Sequence, residues 1–392
     1  MTSSHLGWGG TCVALTMLVA CGSVFTDTTG DGGAGGGDGG DATASGDAGD
    51  GGTSDGDMLD AAPEPCTKVG DTKFCHASGG DGVRTCIKAP GGSLAFGKCY
   101  ALACDATAMP QANEVCVPAG DFTMGGLDGD GGVPFDPGTL PAHKITFRHR
   151  LYVDKFEVSV AEFAGWWTKS PRPMPSDGAL VFVSGAGAIR TWKAPATALP
   201  DPGINLTAGC NFSFANDAVK SSASMNCVGI DIALAYCMSE GKRLPTEAEW
   251  EYVAQGVTTQ NQFPWGNTAP DNSCSQAIDK DCYLANTPRY PWVRPMATQG
   301  NTPNGVNAMA GNEAEWTLDF FPASGCAVAT RCFPAGAVDP LADMDNGNGY
   351  VVRGGSWGSI ADDVRSRTRQ NFSPTQSASA GTIGFRCVRD EH

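Results

Sequence analysis

The residues best equipped for chemistry in this 392-residue chain are its sixteen cysteines. A thiolate is both a soft metal ligand and a redox-active group, so the number and spacing of cysteines decide which chemistry is open. Six of them, Cys66, Cys75, Cys86, Cys99, Cys104 and Cys116, fall in one segment poor in large apolar residues, and eight more follow Val117. Sixteen is high for a reducing compartment and ordinary for a chain that folds after export, where small cores need disulfide staples. Zinc is the rival use of the six, but His76 is the only histidine among them, and an oxidising compartment favours bridges. The pairings within that segment stay open at the level of sequence.

Four other constellations are less specific. Gly354-Gly355-Ser356-Trp357-Gly358 spells G-x-S-x-G, the pattern of a nucleophile elbow, but the only later histidine is His392, so a serine hydrolase lacks its base. His143 and His149 stand six apart in a strand-like region, which suits an exposed edge better than a metal triad. Asp343, Asp345, Asn346 and Asn348 gather oxygen donors without the spacing of an EF-hand, and a turn is the simpler reading. Arg365, Arg367 and Arg369 alternate, which puts three guanidinium groups on one face of an extended segment, for salt bridges or for a ligand.

The elements that position these residues fall into four stretches. The apolar run Cys12 to Ala20 is too short to span a bilayer and ends in Leu18-Val19-Ala20-Cys21, which resembles a bacterial lipobox. Residues 1–20 are therefore read as a lipoprotein signal peptide and Cys21 as the lipidated residue, although only His5 could bring side-chain positive charge ahead of the run. From Gly22 to Pro65 there are ten acidic residues, fourteen glycines and no Lys or Arg, so this tract holds most of the net charge of −16 and cannot bury a core. Residues 21–65 are expected to be a flexible tether reaching about 35 to 40 Å. Residues 66–116 form the small disulfide-rich segment, and residues 117–392 are long enough for one domain with a real core. An acidic, exported chain excludes nucleic acid as a partner.

Within 117–392, Val117 to Gly125 and Lys144 to Val158 have the period-two pattern of strands. Ser159 followed by Glu162 is a capping box that opens a helix carrying Phe163, Trp166 and Trp167. A second helix is expected from Ile230 to Glu240, with Ile230, Leu234 and Cys237 on one face and Gly241 ending it. A third starts at Thr246, capped by Glu249, and stops at Gly256. Loops rich in Gly, Pro and Asn join the rest, so the fold class is α+β with little regular structure.

Residues 241–256, GKRLPTEAEWEYVAQG, carry a resemblance to the formylglycine-generating enzymes, the sulfatase-modifying factors. The blocks VPAGDFTMG at 117–125, FPWGN at 263–267, AGNEAEW at 310–316, VVRGGSW at 351–357 and GFRCV at 384–388 follow in the same order and span nearly all of 117–392. The resemblance implies a C-type-lectin-like fold and a groove lined by Ser356 and Trp357, with Ser359 and the Arg365, Arg367 and Arg369 stretch beside them. In the family, two cysteines bind copper and use oxygen to convert a substrate cysteine into formylglycine. The matching positions here are Ser359 and Val364, and neither a hydroxyl nor an isopropyl group holds copper(I) as thiolate does. Copper chemistry is therefore not expected.

The resemblance also implies a disulfide between Cys237 and Cys387. The remaining cysteines of the domain are near neighbours, and we pair Cys210 with Cys227, Cys274 with Cys282 and Cys326 with Cys332, which leaves no thiol free for catalysis. Calcium is expected at a family loop whose positions are Ala308, Met309, Gly311 and Glu313, largely through backbone carbonyls. Related domains in non-haem iron chemistry draw their histidines from an additional helical domain that this chain lacks. The expected function is that of a lipid-anchored protein of the bacterial envelope, the outer membrane favoured because Gly22 rather than an aspartate follows Cys21. Its groove would bind a peptide or glycan without catalysis. The alternatives are an oxidoreductase of the same superfamily with displaced catalytic residues, and a purely structural envelope component.

Overall fold

Local hydrogen bonding explains where two of the helices begin. Ser159 Oγ accepts from the Glu162 amide at 3.3 Å while the Glu162 carboxylate accepts from the Ser159 amide at 2.8 Å, and Thr246 and Glu249 repeat the pair at 3.2 and 2.8 Å. Each reciprocal pair satisfies amides that a helix N-terminus leaves open, a contribution of about 1 kcal/mol. The structure is a computed structural model that describes residues 64–68, 72–77, 80–88, 93–96, 100–104, 108–126, 142–194, 209–212, 221–285, 300–322, 333, 336–345, 347–373 and 381–390. The signal peptide, Cys21, the tether up to residue 63, Cys99, Cys326, Cys332, Asn346 and His392 lie outside the described residues.

In chain order the elements are β1 (Thr72–Ala77), β2 (Gly80–Lys88), β3 (Leu94–Phe96), β4 (Tyr100–Ala101), β5 (Glu114–Val117), β6 (Gly120–Met124), β7 (His143–Phe147), β8 (Leu151–Asp154) and α1 (Val160–Trp167). There follow β9 (Leu180–Val183), β10 (Ile189–Thr191), α2 (Ile230–Ser239), α3 (Glu247–Ala254), α4 (Lys280–Ala285), β11 (Ala314–Phe320), β12 (Ala337–Val338), β13 (Tyr350–Arg353), β14 (Arg369–Phe372), β15 (Ile383–Gly384) and β16 (Val388–Asp390). Among the described residues no helix is long and apolar enough to cross a membrane.

Strands β1, β2 and β3 pair in sequence order with β4 against β2, and these make the small cysteine-rich segment. Disulfides join Cys66 to Cys86 and Cys104 to Cys116, and Cys75 is also disulfide-bonded. Cys116 itself lies on β5, which pairs with β8, so the last staple of the small segment is anchored in a sheet of the large domain. Among the described residues that domain has three sheets in all besides the β9–β10 hairpin, ordered β14-β13-β11-β15, β12-β7-β6 and β16-β8-β5. Two of the pairings, β11 with β15 and β12 with β7, are parallel.

The core has two main parts. Around α1 and α2, Phe163 packs against Trp166, Trp167, Tyr236 and Phe385 with ring centroids 5.4 to 6.5 Å apart. Around α3, Trp250, Tyr252 and Val253 close over Phe122 and Phe147 of β6 and β7. Every residue of α3 is buried, including Glu247, Glu249 and Glu251. Burying three carboxylates is tolerable because each meets an arginine from elsewhere in the chain: Glu247 pairs with Arg369 and Arg353, Glu249 with Arg243, and Glu251 with Arg353. The disulfide Cys237–Cys387 then ties α2 to the segment that leads into β16.

Candidate functional site

Beyond β13 the chain turns on two glycines, Gly354 and Gly355, at φ of 88° and 63°. A Cβ on Gly355 would sit 2.9 Å from both the Asp363 carbonyl and Val364 Cγ1, so the left-handed backbone and the close approach both demand glycine. The following residues form a tight turn. The Ser356 amide donates to Ser359 Oγ at 3.0 Å, the Ser359 amide to the Ser356 carbonyl at 2.9 Å, and the Gly358 amide to Ser356 Oγ at 3.2 Å. The Ser359 carbonyl accepts from the amide of Lys280, the first residue of α4, which the Cys274–Cys282 disulfide pins in place. Tyr283 of α4 thereby meets Trp357 with ring centroids 5.1 Å apart, and Trp357 Nε1 donates to the Gly381 carbonyl at 2.9 Å. Both rings stay half-buried, and the neighbouring side chains of Leu284 and Ile360 are 59% and 44% exposed.

The other residues of interest point elsewhere. Val364 is fully buried and packs with Phe263, Ala277 and Ala310. The three alternating arginines do not converge: Arg365 pairs with Asp362 and Gln262 above the Phe263 ring, buried Arg367 donates to Gln255 and the Gln260 carbonyl, and buried Arg369 pairs with Glu247. Asp345 accepts from the Gly347 amide at 2.9 Å, the bond of a turn. In the loop ahead of β11, Arg386 Nη2 donates to the carbonyls of Asn307 and Ala308 at 2.8 and 3.3 Å, so a guanidinium stands at that loop. Met309 is in the core, the Gly311 amide donates to the Gly354 carbonyl, and the Glu313 carboxylate points into a buried polar cluster with Asn226 and Glu157. Burial, with Glu315 adding to it, pushes the Glu157 carboxyl up to about 7. Burial and the Glu157 charge push Glu313 well above the ordinary carboxylate range. The structure pairs Cys210 with Cys227, Cys237 with Cys387 and Cys274 with Cys282.

The histidines depart from the sequence reading. His143 and His149 are 5% and 9% exposed rather than on an open edge: His143 lies on β7, the central strand of its sheet between β6 and β12, and His149, in the connection from β7 to β8, is packed against Asp339 and Asp390. His149 lies between Asp339 and Asp390, and its ligand-capable nitrogen, Glu249 and Asp390 approach within 4.8 Å of one another. Arg243 already fills that triangle, binding both oxygens of Glu249 at 2.7 Å and both of Asp390 at 2.9 and 2.6 Å. No spacing in the sequence signals this cluster, since its members come from four separate segments.

A loop-rich α+β domain, with a capped and wholly buried α3 beneath a glycine-hinged turn, defines the formylglycine-generating-enzyme fold class. The chain belongs to the family described as the sulfatase-modifying factor enzyme 1-like domain, whose model matches residues 101–391. The formylglycine-generating enzyme of Thermomonospora curvata is 30% identical over 314 residues, covering 70% of this chain and 93% of that protein. The formylglycine-generating enzyme of Mus musculus is 30% identical over 299 residues, covering 70% of this chain and 74% of its own. Among solved structures, PvdO from Pseudomonas aeruginosa is similar over 71% of this chain and 94% of its own, with 21% identity and a TM-score of 0.48.

Proposed function

We propose that this chain is a lipid-anchored envelope protein whose formylglycine-generating-enzyme-like domain binds a peptide or glycan beside the Ser356–Ser359 turn and does not oxidise it. The observation that carries the reading is the chemistry at positions 359 and 364. Ser359 Oγ is committed to the Ser356 amide, and Val364 is a fully buried hydrocarbon among Phe263, Ala277 and Ala310. Copper(I) needs soft thiolate donors, and these two side chains do not fit it. All eleven cysteines among the described residues are in disulfides, so none of them offers a replacement thiolate. The binding half of the reading is supported by the Trp357–Tyr283 pair, since half-buried aromatic rings flanked by exposed aliphatic side chains suit the apolar face of a sugar or a peptide side chain.

The test of the first half incubates the full chain with copper, a reductant, oxygen and a sulfatase-type cysteine peptide, and follows the peptide by mass. The thiol is expected to persist, and turnover to an aldehyde refutes the proposal. For the second half, glycan and peptide arrays are probed with the parent and with Trp357→Ala. Binding by the parent that the variant loses, at unchanged melting temperature, supports the reading, whereas a parent that binds neither array refutes it. Cys21→Ala should release the protein from the membrane fraction; retention of the variant there refutes the lipid anchor.

A further inference from the structure

The disulfide that ties the small cysteine-rich segment to the large domain is open to solvent. Cys104 is exposed and its partner Cys116 half-buried. Each of the other four disulfides with both cysteines described has one member that is at most 1% exposed, namely Cys86, Cys227, Cys237 or Cys282. Thiol–disulfide exchange begins with attack of a thiolate on sulfur, so its rate depends on access as well as on thiol chemistry. An outside thiol therefore reaches Cys104 in the folded protein, whereas the buried pairs open only when the core around them does. The surrounding bonds make the same disulfide a mechanical joint. On the side of the small segment, the Ala119 amide donates to the Leu102 carbonyl and Arg150 Nη1 to the Ala103 carbonyl, both at 2.8 Å. Beyond the joint the chain is clamped to the large domain. The Met109 amide donates to the Tyr152 hydroxyl at 3.1 Å, Arg389 Nη2 to the Met109 carbonyl at 3.2 Å, and the Lys155 amide to the Asn113 carbonyl at 2.7 Å. Cys104 is thus the point at which the small segment is fastened. Hydrogen bonds to its neighbours exchange readily for water, but the covalent tie does not.

We propose that Cys104–Cys116 is a thiol–disulfide exchange site for a dithiol reductant, and that opening it frees the small segment to turn on the large domain. A thiolate of the dithiol attacks Cys104 Sγ, so that a mixed disulfide forms and Cys116 leaves as a thiolate that takes up a proton. The second thiol of the reductant then attacks its own sulfur in the mixed disulfide and releases Cys104. Two electrons and two protons pass from the dithiol, which departs as a disulfide, to two protein thiols. Cys116 stays on β5, where it pairs with Tyr152 of β8, so the sheet persists and only the tie is lost. The inference does not depend on ligand binding at the Ser356–Ser359 turn.

The full chain is exposed without denaturant to a series of dithiothreitol concentrations, quenched with iodoacetamide and mapped by peptide mass, while amide hydrogen exchange is followed in parallel. Cys104 and Cys116 should be alkylated together, at a dose at least about tenfold below the one that labels Cys86, Cys227, Cys237 or Cys282. At that dose exchange at the Ala119 amide should rise at least about tenfold, with the amides of β13 unchanged. The double variant Cys104→Ser, Cys116→Ser should show the same fast exchange at Ala119 without reductant. Should that variant fail to fold, the dose series and the exchange of the parent carry the test. Alkylation of any of the four buried cysteines at the same or a lower dose overturns the proposal. So does exchange at Ala119 that reduction leaves unchanged, the behaviour of a joint held by packing and not by its disulfide.

Discussion

His149→Gln isolates one buried charge whose contribution should change sharply with pH. The imidazole stands 3.5 Å from Asp339 and 3.3 Å from Asp390, with 10% of the side chain exposed. Burial alone would depress its pKa, but the Asp339 and Asp390 carboxylates outweigh burial and raise it to about 9. An unfolded histidine titrates near 6.5, so the folded state holds this proton more tightly. The sign follows: the stabilisation is complete below about pH 6.5 and is lost as the pH rises through the folded value. Evaluated from those two values, it amounts to about 3 kcal/mol at pH 6, about 1.4 kcal/mol at pH 8 and close to nothing at pH 10. Denaturant unfolding of parent and variant at these three pH values, with disulfides intact, cancels the groups common to both. The parent-minus-variant stability should fall by about 3 kcal/mol from pH 6 to pH 10. A difference that stays flat, or that grows with pH, would mean that the folded imidazole is neutral and that the two aspartates do not hold it charged.

Three further substitutions test how the domain is held together. Arg243→Met leaves Glu249 and Asp390 buried or half-buried without their guanidinium and should cost about 3 to 5 kcal/mol in denaturant unfolding; a loss under about 1 kcal/mol would show that the carboxylates find other partners or protonate cheaply. Replacing Cys237 and Cys387 together by serine opens a loop of 150 residues and should destabilise by about 5 kcal/mol on the chain-entropy argument, read as a lower denaturation midpoint. Gly355→Ala forces a Cβ to within 2.9 Å of the Asp363 carbonyl at φ 63°, and should lower stability by about 2 kcal/mol or more; a neutral result would show that the turn can move aside.

The amino-acid sequence was informative wherever the structure depends on partners a few residues apart. The capping boxes at Ser159 and Thr246 and the stops at Gly241 and Gly256 rest on bonds within one or two helical turns, which residue order specifies directly. The family blocks carried the fold class for the same reason, since each keeps a local conformation such as the glycine turn at 354–355. Only the tertiary structure decided which charges meet. Glu315 and Arg386 are 71 residues apart, Glu251 and Arg353 are 102, and Asn226 and Glu313 are 87. No periodicity reports such pairings, because they are set by how β11, β13 and α3 stack once folded. That is why Arg365, Arg367 and Arg369, equivalent by spacing, end in three different environments, and why two histidines read as an exposed edge are buried. Local rules settle the elements, whereas the burial of ionised groups depends on long-range packing that brings each its counter-charge.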